Sequence, residues 1–312
     1  MAAFITLTPN PAVDLSTSVD RVAPTLKLRC AAPRRDPGGG GINVARVIRR
    51  FGGDVEAILP AGGGTGQLLR RLIDDEGLNS RIIKTEVETR EDFYVSERLT
   101  GSQFRFVLPG QPLREGEWRQ CLAALAATTP SPKFVIGSGS LPPGVPDDFY
   151  AQAAAIARNL DAKFLLDTSG LPLGAAIAHG LYLIKPNLRE MSELVGAELT
   201  TPNDWLVKAR AVIDSGKVEI VALSLGHLGA LVVARDQALR AHALPIRPVS
   251  AVGAGDSFLG ALAFSLGGGA TLMEAFRLAV AAGAAALTNE GTELCHPRDV
   301  YRLSSQTVIE AV

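Results

Sequence analysis

An aspartate follows a run of small residues at the predicted start of an apolar helix. The segment VGAGDSF, residues 252–258, leads directly into LGALAFSLGG. Small residues before a helix leave its first backbone N–H groups unhindered, so the turn can surround a phosphate with donors at the positive end of the helix dipole. Asp256 at that helix start could accept a proton from a hydroxyl nucleophile. The pattern predicts an anion hole beside a general base, although GAGD alone also fits a helix start that merely carries an acidic residue.

A second glycine cluster precedes another predicted helix in PGGGGINVAR, residues 37–46. Four consecutive glycines are costly in conformational entropy, which favours a ligand packed against bare backbone over a plain loop. Asn43, early in that helix, offers a donor and an acceptor and could hold sugar hydroxyls. The chain contains no GxxxxGK[ST], and no GxGxxG with a following acidic residue comes after its first strand. The clusters therefore indicate a ligand site that is neither a Walker A loop nor a dinucleotide fingerprint.

Short apolar segments alternate with stretches of helical periodicity along the chain. The predicted buried strands are AAFITLT, VEAILPA, FVIGSGS, AKFLLDTS, LYLIKPN, EIVALSLG and GALVVA. The predicted helices include NVARVIRRFG, GQLLRRLIDDEG, EGEWRQCLAALAAT, DDFYAQAAAIARNL, PNDWLVKARAVIDSG and LMEAFRLAVAAGAAALTN. This alternation predicts an α/β fold with a mainly parallel sheet that is covered on both faces by helices.

Two segments break this rhythm by alternating polar with apolar residues. They lie at about residues 14–32 and 93–108, and the second turns at Thr100-Gly101-Ser102 like a hairpin. We expect a small half-exposed sheet that forms a lid, since open α/β sheets bind ligands at the carboxyl ends of their strands. No linker, repeat or low-complexity segment divides the chain, so we expect residues 1–312 to form a single domain.

Composition and charge exclude several partners. Lys and Arg number 31 and Asp and Glu 32, so no overall basic field would attract nucleic acid or anionic lipid. The N-terminus lacks a basic n-region, and the chain has no apolar run of about 18 residues. The three cysteines show no CxxC spacing. We therefore expect a soluble cytoplasmic protein with reduced thiols, and neither nucleic acid nor a membrane as a partner.

The two glycine clusters together resemble the two signatures of the ribokinase-like (PfkB) carbohydrate kinases. GGGGINVA and SAVGAGDSFLGALAF lie about 210 residues apart, and further matches are TLTPNPAVD, GSLPPGVP, KPNLRE, SLGHLG and AAGAAALTNEGT. Their order and spacing extend the resemblance over nearly the whole chain. The resemblance implies a three-layer α/β/α domain with a small β-sheet lid, and it implies ATP and Mg²⁺ as ligands.

The resemblance also implies roles for the two acidic motifs. The GAGD aspartate is the family's catalytic base, which is Asp256 here, and the preceding amides form the anion hole, here at Gly253, Ala254 and Gly255. The family's N-x-x-E motif corresponds to Asn187 and Glu190, where Glu190 would organise Mg²⁺ through water, because this metal keeps much of its hydration. Without the resemblance, Glu190 is more simply interpreted as an acid in the first turn of a helix.

Further positions are implied for the nucleotide and for a monovalent cation. The nucleotide contacts would be Lys185, Asn187, Ser224, Gly226 and Gly229, with Ala286 and Asn289 near the adenine. Many members also bind K⁺ beside the anion hole, here through oxygens of Ser250, Val252, Ala286, Asn289 and Gly291. Glu293 departs from close relatives, which carry arginine at this position.

The acceptor side resembles the branch that acts on sugar phosphates, through TLTPNPAVD and the KLRC segment at residues 27–30. An acceptor that already carries a phosphate needs cationic side chains to bind it. Arginine suits phosphate better than lysine because its guanidinium can donate two parallel hydrogen bonds. The predicted phosphate clamp is Lys27, Arg29 and Arg90, although each could be a solvated surface group; Arg105 fits an exposed strand residue equally well. The predicted contacts to the sugar are Asp14, Gly38, Gly39, Asn43 and a serine of the turn, Ser138 or Ser140.

These inferences predict ATP-dependent phosphorylation of fructose 6-phosphate to fructose 1,6-bisphosphate. The same pocket could accept tagatose 6-phosphate or fructose 1-phosphate, since sequence does not resolve single hydroxyls. The alternatives are a kinase of a free sugar or nucleoside and a non-catalytic sensor that reuses the fold. Intact Asp256, Asn187 and Glu190 argue against the sensor. The apolar face of a half-exposed sheet has to be covered. We therefore expect a homodimer formed through the lids, in which the loop with Lys27 contributes to the site of the neighbouring subunit.

Overall fold

The structure, a computed structural model, describes residues 3–312 as alternating strands and helices. The strands are β1 (Phe4–Leu7), β2 (Ala12–Val19), β3 (Arg34–Gly38), β4 (Val55–Ala61), β5 (Asn79–Lys84), β6 (Arg90–Glu97), β7 (Gln103–Phe106), β8 (Phe134–Ser138), β9 (Lys163–Asp167), β10 (Leu181–Ile184), β11 (Val218–Ser224), β12 (Ala230–Ala234), β13 (Ala238–Ala241) and β14 (Ile309–Ala311). The helices are α1 (Gly40–Arg50), α2 (Gly63–Asp75), α3 (Glu115–Ala126), α4 (Phe149–Asn159), α5 (Gly170–Ile177), α6 (Leu188–Val195), α7 (Pro202–Asp214), α8 (Ala254–Gly267), α9 (Leu272–Leu287) and α10 (Pro297–Ser304). Each predicted apolar segment contains a strand and each predicted helical stretch contains a helix.

One large sheet forms the centre of the fold, in the order β14-β13-β12-β11-β10-β9-β8-β1-β4-β5. The strands from β11 through β5 run parallel. The remaining strands β12, β13 and β14 extend the sheet antiparallel at one edge. The prediction of a mainly parallel sheet is confirmed, and the carboxyl ends of its parallel strands meet at one edge of the molecule.

Helices cover both faces of this sheet because neighbouring strand residues point to opposite sides. On β8, Val135 belongs to the core that includes α3, α4, α5 and α7, whereas Phe134 and Ile136 belong to the core that includes α1, α2, α8 and α9. The predicted three-layer α/β/α arrangement is therefore confirmed. Among the helices of residues 3–312, none has both the length and the apolar character needed to cross a bilayer.

A smaller sheet with the order β3-β2-β6-β7 accounts for the two segments that break the alternation. The second segment is a β6–β7 hairpin, in which Gly101 has φ 72° and its N–H donates to the Glu97 carbonyl at 2.9 Å. The first segment is only partly a strand: β2 ends at Val19, and residues 20–33 contain no strand. Pro24 and Pro33 lack the N–H that a sheet requires, and Thr25 has a left-handed φ of 62°.

Candidate active site

A cavity of about 270 Å³ lies between the main sheet and the small sheet. One wall comes from the start of α1, the ends of β8 and β9 and the start of α8, and the other from β2, β6 and β7. Its position follows the rule that open α/β sheets bind ligands at the carboxyl ends of their strands. The predicted site residues that line it are Asp14, Gly39, Asn43, Arg90, Ser138, Ser140, Glu190, Val252, Gly253 and Asp256.

The turn before α8 has the geometry that the first glycine motif requires. Gly253 precedes the helix with a left-handed φ of 73°, and a side chain there would meet Leu294. A Cβ on Gly255 would lie 3.2 Å from Nζ of Lys185, so the lysine ammonium sits close to this turn. The first N–H groups of a helix have no partner within the helix and carry the positive end of its dipole. The turn can therefore bind an anionic group beside a fixed cation.

Asp256 stands in the first turn of α8 with its carboxylate held by a neutral donor. Nδ2 of Asn43 donates to Oδ2 of Asp256 at 2.9 Å. Burial raises the pKa of Asp256 to about 6, and the charge of Asp167 adds to the rise, while the Asn43 hydrogen bond and the Lys185 charge oppose it. Asp256 is thus mostly ionised at pH 7 with a pKa close to the operating pH, which suits a general base.

Asp167, at the carboxyl end of β9, pairs with the buried Lys185. Its Oδ2 lies 3.1 Å from Nζ of Lys185. Burial lowers the pKa of Lys185, but the charge and hydrogen bond of Asp167 outweigh it, so the net shift is upward and the ammonium stays charged. We did not assign Asp167 from sequence, although an acid directly after the buried segment FLL at the end of a parallel strand is a usable signal.

Asn187 and Glu190 form a reciprocal cap at the start of α6. Oδ1 of Asn187 accepts from the Glu190 N–H, and Oε2 of Glu190 accepts from the Asn187 N–H, both at 2.9 Å. Glu190 also lines the cavity, where burial raises its pKa and the Asn187 N–H lowers it. The helix-cap interpretation and the ligand role are therefore compatible. Within residues 3–312 no cluster of three acidic, His or Cys side chains could cage a metal. The Glu190 carboxylate at the cavity is a ligand type that Mg²⁺ can bind through water.

The polyglycine segment brings bare backbone against the sugar-binding candidates. A Cβ on Gly38 would clash with Oδ1 of Asp14, and one on Gly40 would clash with Oγ of Ser138. Gly39 has φ 107°, which only glycine adopts readily. The close approach accounts for the glycines, since each side chain would displace a polar group of the cavity.

Two buried carboxylates lie on the small-sheet wall. Burial and the charge of Asp92 together raise the pKa of Asp14 to about 7. Asp92 receives hydrogen bonds from Nη1 of Arg90 and from the Leu108 N–H, each at 2.9 Å. Arg90 also donates to the carbonyls of Leu108 and Asn10, at 2.7 and 3.2 Å, so its guanidinium is oriented by the protein.

The basic residues divide into two groups. Arg105 lines the cavity, and its guanidinium carbon lies 5.5 Å from the centroid of the Tyr94 ring. Lys27 and Arg29 are exposed in residues 20–33 and do not line the cavity. Within one chain the structure thus brings Arg90 and Arg105 to the site, and the roles of Lys27 and Arg29 stay predictions.

Known proteins are similar to this chain in both sequence and fold. The family model described as pfkB family carbohydrate kinase matches residues 7–299. The chain belongs to this family. The resemblance inferred from the glycine clusters is thereby confirmed. Asp256 and Glu190 line the cavity, and Asn187 caps the helix that carries Glu190.

The relatives of this PfkB chain include two sugar-phosphate kinases of high similarity. It is 48% identical over 299 residues to the ATP-dependent 6-phosphofructokinase isozyme 2 of Mycobacterium tuberculosis, covering 96% of this chain and 88% of that protein. It is 41% identical over 304 residues to the isozyme 2 of Escherichia coli K12, covering 97% and 98%. The 1-phosphofructokinase of Xanthomonas campestris is 34% identical over 313 residues, with 99% and 98% covered.

Solved structures of phosphofructokinase-2 from Escherichia coli have the same fold. The complex with potassium superposes with a TM-score of 0.93 at 40% identity, covering 98% of this chain and 99% of that one. The complex with fructose-6-phosphate gives 0.92 at 39% identity, with the same coverage. The tetrameric inhibited form gives 0.91 at 40% identity, again covering 98% and 99%.

The nucleotide positions implied by the PfkB resemblance flank the cavity near Glu190. Asn187 and Ser224 form an isolated parallel bridge, which brings the ends of β10 and β11 together. Gly226 has φ 60° with open space at its Cβ position, whereas Gly229 has φ 98° and lies against the Ala241 carbonyl. Gly226 is therefore free to approach a ligand, and Gly229 is required by the packing of the turn.

The two segments implied in K⁺ binding also lie together. Oγ of Ser250 donates to the Gly291 carbonyl at 2.6 Å, and the Val252 N–H donates to the same hydroxyl at 3.2 Å. Nδ2 of Asn289 donates to the Leu294 carbonyl at 2.9 Å, and Ala286 is fully buried near the end of α9. The oxygen-rich neighbourhood fits a hard monovalent cation.

Glu293 joins this loop to the rest of the domain. It forms an ion pair with Arg34 of β3 and another with Arg50 of α1 at 2.8 Å. These pairs lower its pKa although burial opposes the change. The acidic residue is thus accommodated by two arginines.

Proposed function

We propose that this protein transfers the γ-phosphate of ATP to the free primary hydroxyl of fructose 6-phosphate, giving fructose 1,6-bisphosphate and ADP. The observation that carries the proposal is the half-buried Asp256 at the start of α8, with a pKa raised to about 6 and a fixed Asn43 partner. The similarity to two ATP-dependent 6-phosphofructokinases at 41% and 48% identity supports the choice of substrate. As a step of glycolysis, the reaction belongs in the cytoplasm.

The chemistry follows from the arrangement at α8. Asp256 accepts the proton of the sugar hydroxyl while that oxygen attacks the γ-phosphorus. The bond from the γ-phosphorus to the oxygen bridging to the β-phosphate breaks, and this oxygen leaves with ADP. The backbone N–H groups at Gly253, Ala254 and Gly255, with the nearby Lys185, balance the negative charge on the transferring group.

Two metal ions accompany this proposal. Glu190 would hold Mg²⁺ through water, and the metal would neutralise charge on the ATP phosphates. Oxygens of Ser250, Val252, Ala286, Asn289 and Gly291 would hold K⁺ beside the α8 turn, and a homologous kinase is described as a complex with potassium. ATP itself would contact Lys185, Asn187, Ser224, Gly226 and Gly229, with Ala286 and Asn289 near the adenine.

The sugar phosphate would bind between the polyglycine segment and the small sheet. Asp14, Gly38, Gly39, Asn43 and Ser138 or Ser140 would hold the sugar, and the 6-phosphate would lie near Arg90 and Arg105. Residues 1–312 would act as one domain with lid segments at about 14–32 and 93–108, whose closure excludes water from the γ-phosphate. The small sheet, which carries Arg90 and Arg105, would thus distinguish a sugar phosphate from a free sugar.

A homodimer through the small sheets would complete the site. Leu26 and Leu99 are 68% and 73% exposed, which favours burial of these apolar side chains against a second copy of the chain. In such a dimer the segment with Lys27 and Arg29 could reach the neighbouring cavity. One homologous structure is described as tetrameric and inhibited, so larger assemblies of dimers are compatible with the proposal.

A coupled ADP-release assay with Mg-ATP tests the proposed reaction. The acceptors are fructose 6-phosphate, tagatose 6-phosphate, fructose 1-phosphate and free fructose, each with the wild type, Asp256→Asn and the surface control Asp74→Asn. We expect the highest kcat/KM with fructose 6-phosphate and a loss of roughly a thousandfold or more in Asp256→Asn. Preference for another phosphosugar would correct the substrate, and an active Asp256→Asn would refute the mechanism.

A further inference from the structure

The side chain of Asn43 stands between the candidate base and a buried arginine on its own helix. Its Nδ2 donates to Oδ2 of Asp256 at 2.9 Å, and its Oδ1 accepts from Nη1 of Arg46 at 3.2 Å. A carboxamide has nearly the same shape at its two ends, so shape does not decide which end faces Asp256. The hydrogen-bond partners decide it.

Arg46 can only donate, and an ionised carboxylate can only accept. The oxygen of Asn43 must therefore face Arg46, and its NH₂ group must face Asp256. The reverse orientation would place two donors against each other at Arg46 and two acceptors against each other at Asp256. Removing the donor at Arg46 removes one of the two constraints on this orientation.

Arg46 is itself fixed by partners that do not belong to the cavity. Its side chain is 1% exposed, and its Nε lies 2.9 Å from each carboxylate oxygen of Glu76, directly after α2. Nη1 also donates to the Pro37 carbonyl at 3.1 Å, at the entrance to the polyglycine segment. A fully buried guanidinium with this many acceptors is oriented rigidly.

We propose that Arg46 is a positioning residue, which fixes the Asn43 carboxamide so that its NH₂ group holds Oδ2 of Asp256 and leaves Oδ1 as the oxygen that takes the proton. The Asn43 NH₂ group cannot accept a hydrogen bond, so a proton on Oδ2 would face a donor. Oδ1 has no such conflict. This inference rests on the proposed function in that Asp256 is the base, whereas the orientation of Asn43 is independent of it.

Other charges also act on Asp256 and must be separated from the effect of Arg46. Asp167 at the end of β9 raises its pKa, whereas Lys185 after β10 and Arg105 on β7 lower it. Asp14 on β2 interacts with Asp256 as a second acid. None of these groups contacts Asn43 through a hydrogen bond within the part of the chain that the structure describes.

The test is a ¹³C NMR titration of aspartate carboxyl carbons, with the Asp256 signal assigned by its loss in Asp256→Asn. We expect Arg46→Met to raise the Asp256 titration midpoint by about half a pH unit or more, because the fixed donor is lost. Arg46→Lys keeps a group that only donates, so we expect it to remain within about 0.2 unit of the wild type. Arg50→Met is the matched control: it removes a guanidinium from the same helix without touching Asn43.

A double-mutant cycle decides whether Arg46 acts through Asn43. We expect Asn43→Ala to raise the midpoint and Arg46→Met to add nothing further in that background. Additive shifts, or equal shifts in Arg46→Met and Arg50→Met, would overturn the proposal. If Arg46→Met does not fold, Arg46→Gln replaces it, because glutamine can also accept and so no longer imposes the orientation.

The kinetic readout distinguishes this inference from the proposed function. In Arg46→Met we expect kcat at pH 6.5 to fall about 1.5-fold for a half-unit shift, and further for a larger one, with KM for ATP unchanged and the acid limb of the pH profile following the NMR midpoint. An active Asp256→Asn would remove the base from the mechanism, and the titration would still test the orientation of Asn43. A normal NMR midpoint in Arg46→Met, together with an inactive Asp256→Asn, would refute the positioning role alone.

Discussion

The two walls of the cavity differ in the charged partners of their acidic residues. The base wall, formed by Asn43, Asp167, Lys185 and Asp256, lies on helix starts and strand ends of the main domain, where each acid faces an opposite charge or an amide. The lid wall, formed by Asp14, Arg90, Asp92 and Arg105, lies on the small sheet, where the buried Asp14 lies near a second buried acid, Asp92, which pairs with Arg90. This difference fits the proposal, in which the main domain would carry the chemistry and the small sheet would recognise the acceptor.

The largest expected effect of breaking the lid wall comes from Asp14→Asn. Loss of a charged acceptor for a sugar hydroxyl is expected to reduce kcat/KM for fructose 6-phosphate by roughly 10- to 100-fold. Burial raises the pKa of Asp14 to about 7, so the ionised form destabilises the fold. The free energy of unfolding at pH 8 should therefore rise by about 2–4 kcal/mol in the variant. This gain should fall to about 1 kcal/mol at pH 4.5 and vanish below about pH 3, where Asp14 is neutral in both states.

Urea unfolding at pH 8 and pH 4.5 measures this change, with Asp20→Asn as the control. Asp20 lies one residue beyond β2, and its side chain is 75% exposed. We expect the control to change the free energy of unfolding by less than about 0.5 kcal/mol. A destabilised Asp14→Asn would show that the buried acid is held by favourable contacts and that the two walls are alike.

A smaller effect is expected from Arg105→Gln on the same wall. The guanidinium is exposed over Tyr94, so its loss should raise KM for fructose 6-phosphate about tenfold and leave kcat nearly unchanged. Steady-state kinetics with Arg98→Gln, on the same hairpin but paired with Asp20, provides the matched control. A fall in kcat at constant KM would instead place Arg105 with the base wall.

The pH dependence sharpens the comparison because Asp256 on the base wall and Asp14 on the lid wall both have a raised pKa. With Asp256 titrating at about 6, ionisation and kcat should fall about tenfold from pH 7 to pH 5. Asp14 titrates at about 7, so the acid limb of kcat/KM should approach a slope of two. Asp14→Asn should restore a slope of one, and a wild-type slope of one would remove Asp14 from substrate binding.

The smallest effect is expected from Lys27→Ala, which tests whether the lid wall is shared between copies. KM for fructose 6-phosphate should rise only several-fold, because Lys27 is exposed and contributes through a neighbour. Leu99→Asp should yield a monomer in sedimentation equilibrium, and Lys27→Ala should have no further effect in it. An unchanged effect of Lys27→Ala in the monomer would place the residue in its own cavity.

The sequence predicts the strongly periodic elements and leaves the weakly periodic ones open. The buried strands and long helices were predicted because each carries its own apolar pattern. The short helices α5 and α10 and the strands β3, β5, β13 and β14 were not predicted, since a few residues hold too little pattern. Residues 20–33 were predicted to continue the small sheet, and the prolines and Thr25 prevent it.

The sequence by itself indicated the two glycine turns, the candidate base Asp256 and the position of Glu190 in the first turn of a helix, because each pattern lies within a few residues. Only the tertiary structure shows that Asp167, Asp92 and Arg105 line one cavity and that Arg46 contacts Asn43. The pKa of Asp256 is set by burial and by charges on β9 and β7, and the orientation of Asn43 is set by an arginine that Glu76 fixes. Charge and hydrogen bonding act through space, so groups distant in the chain complete a site that local patterns only begin.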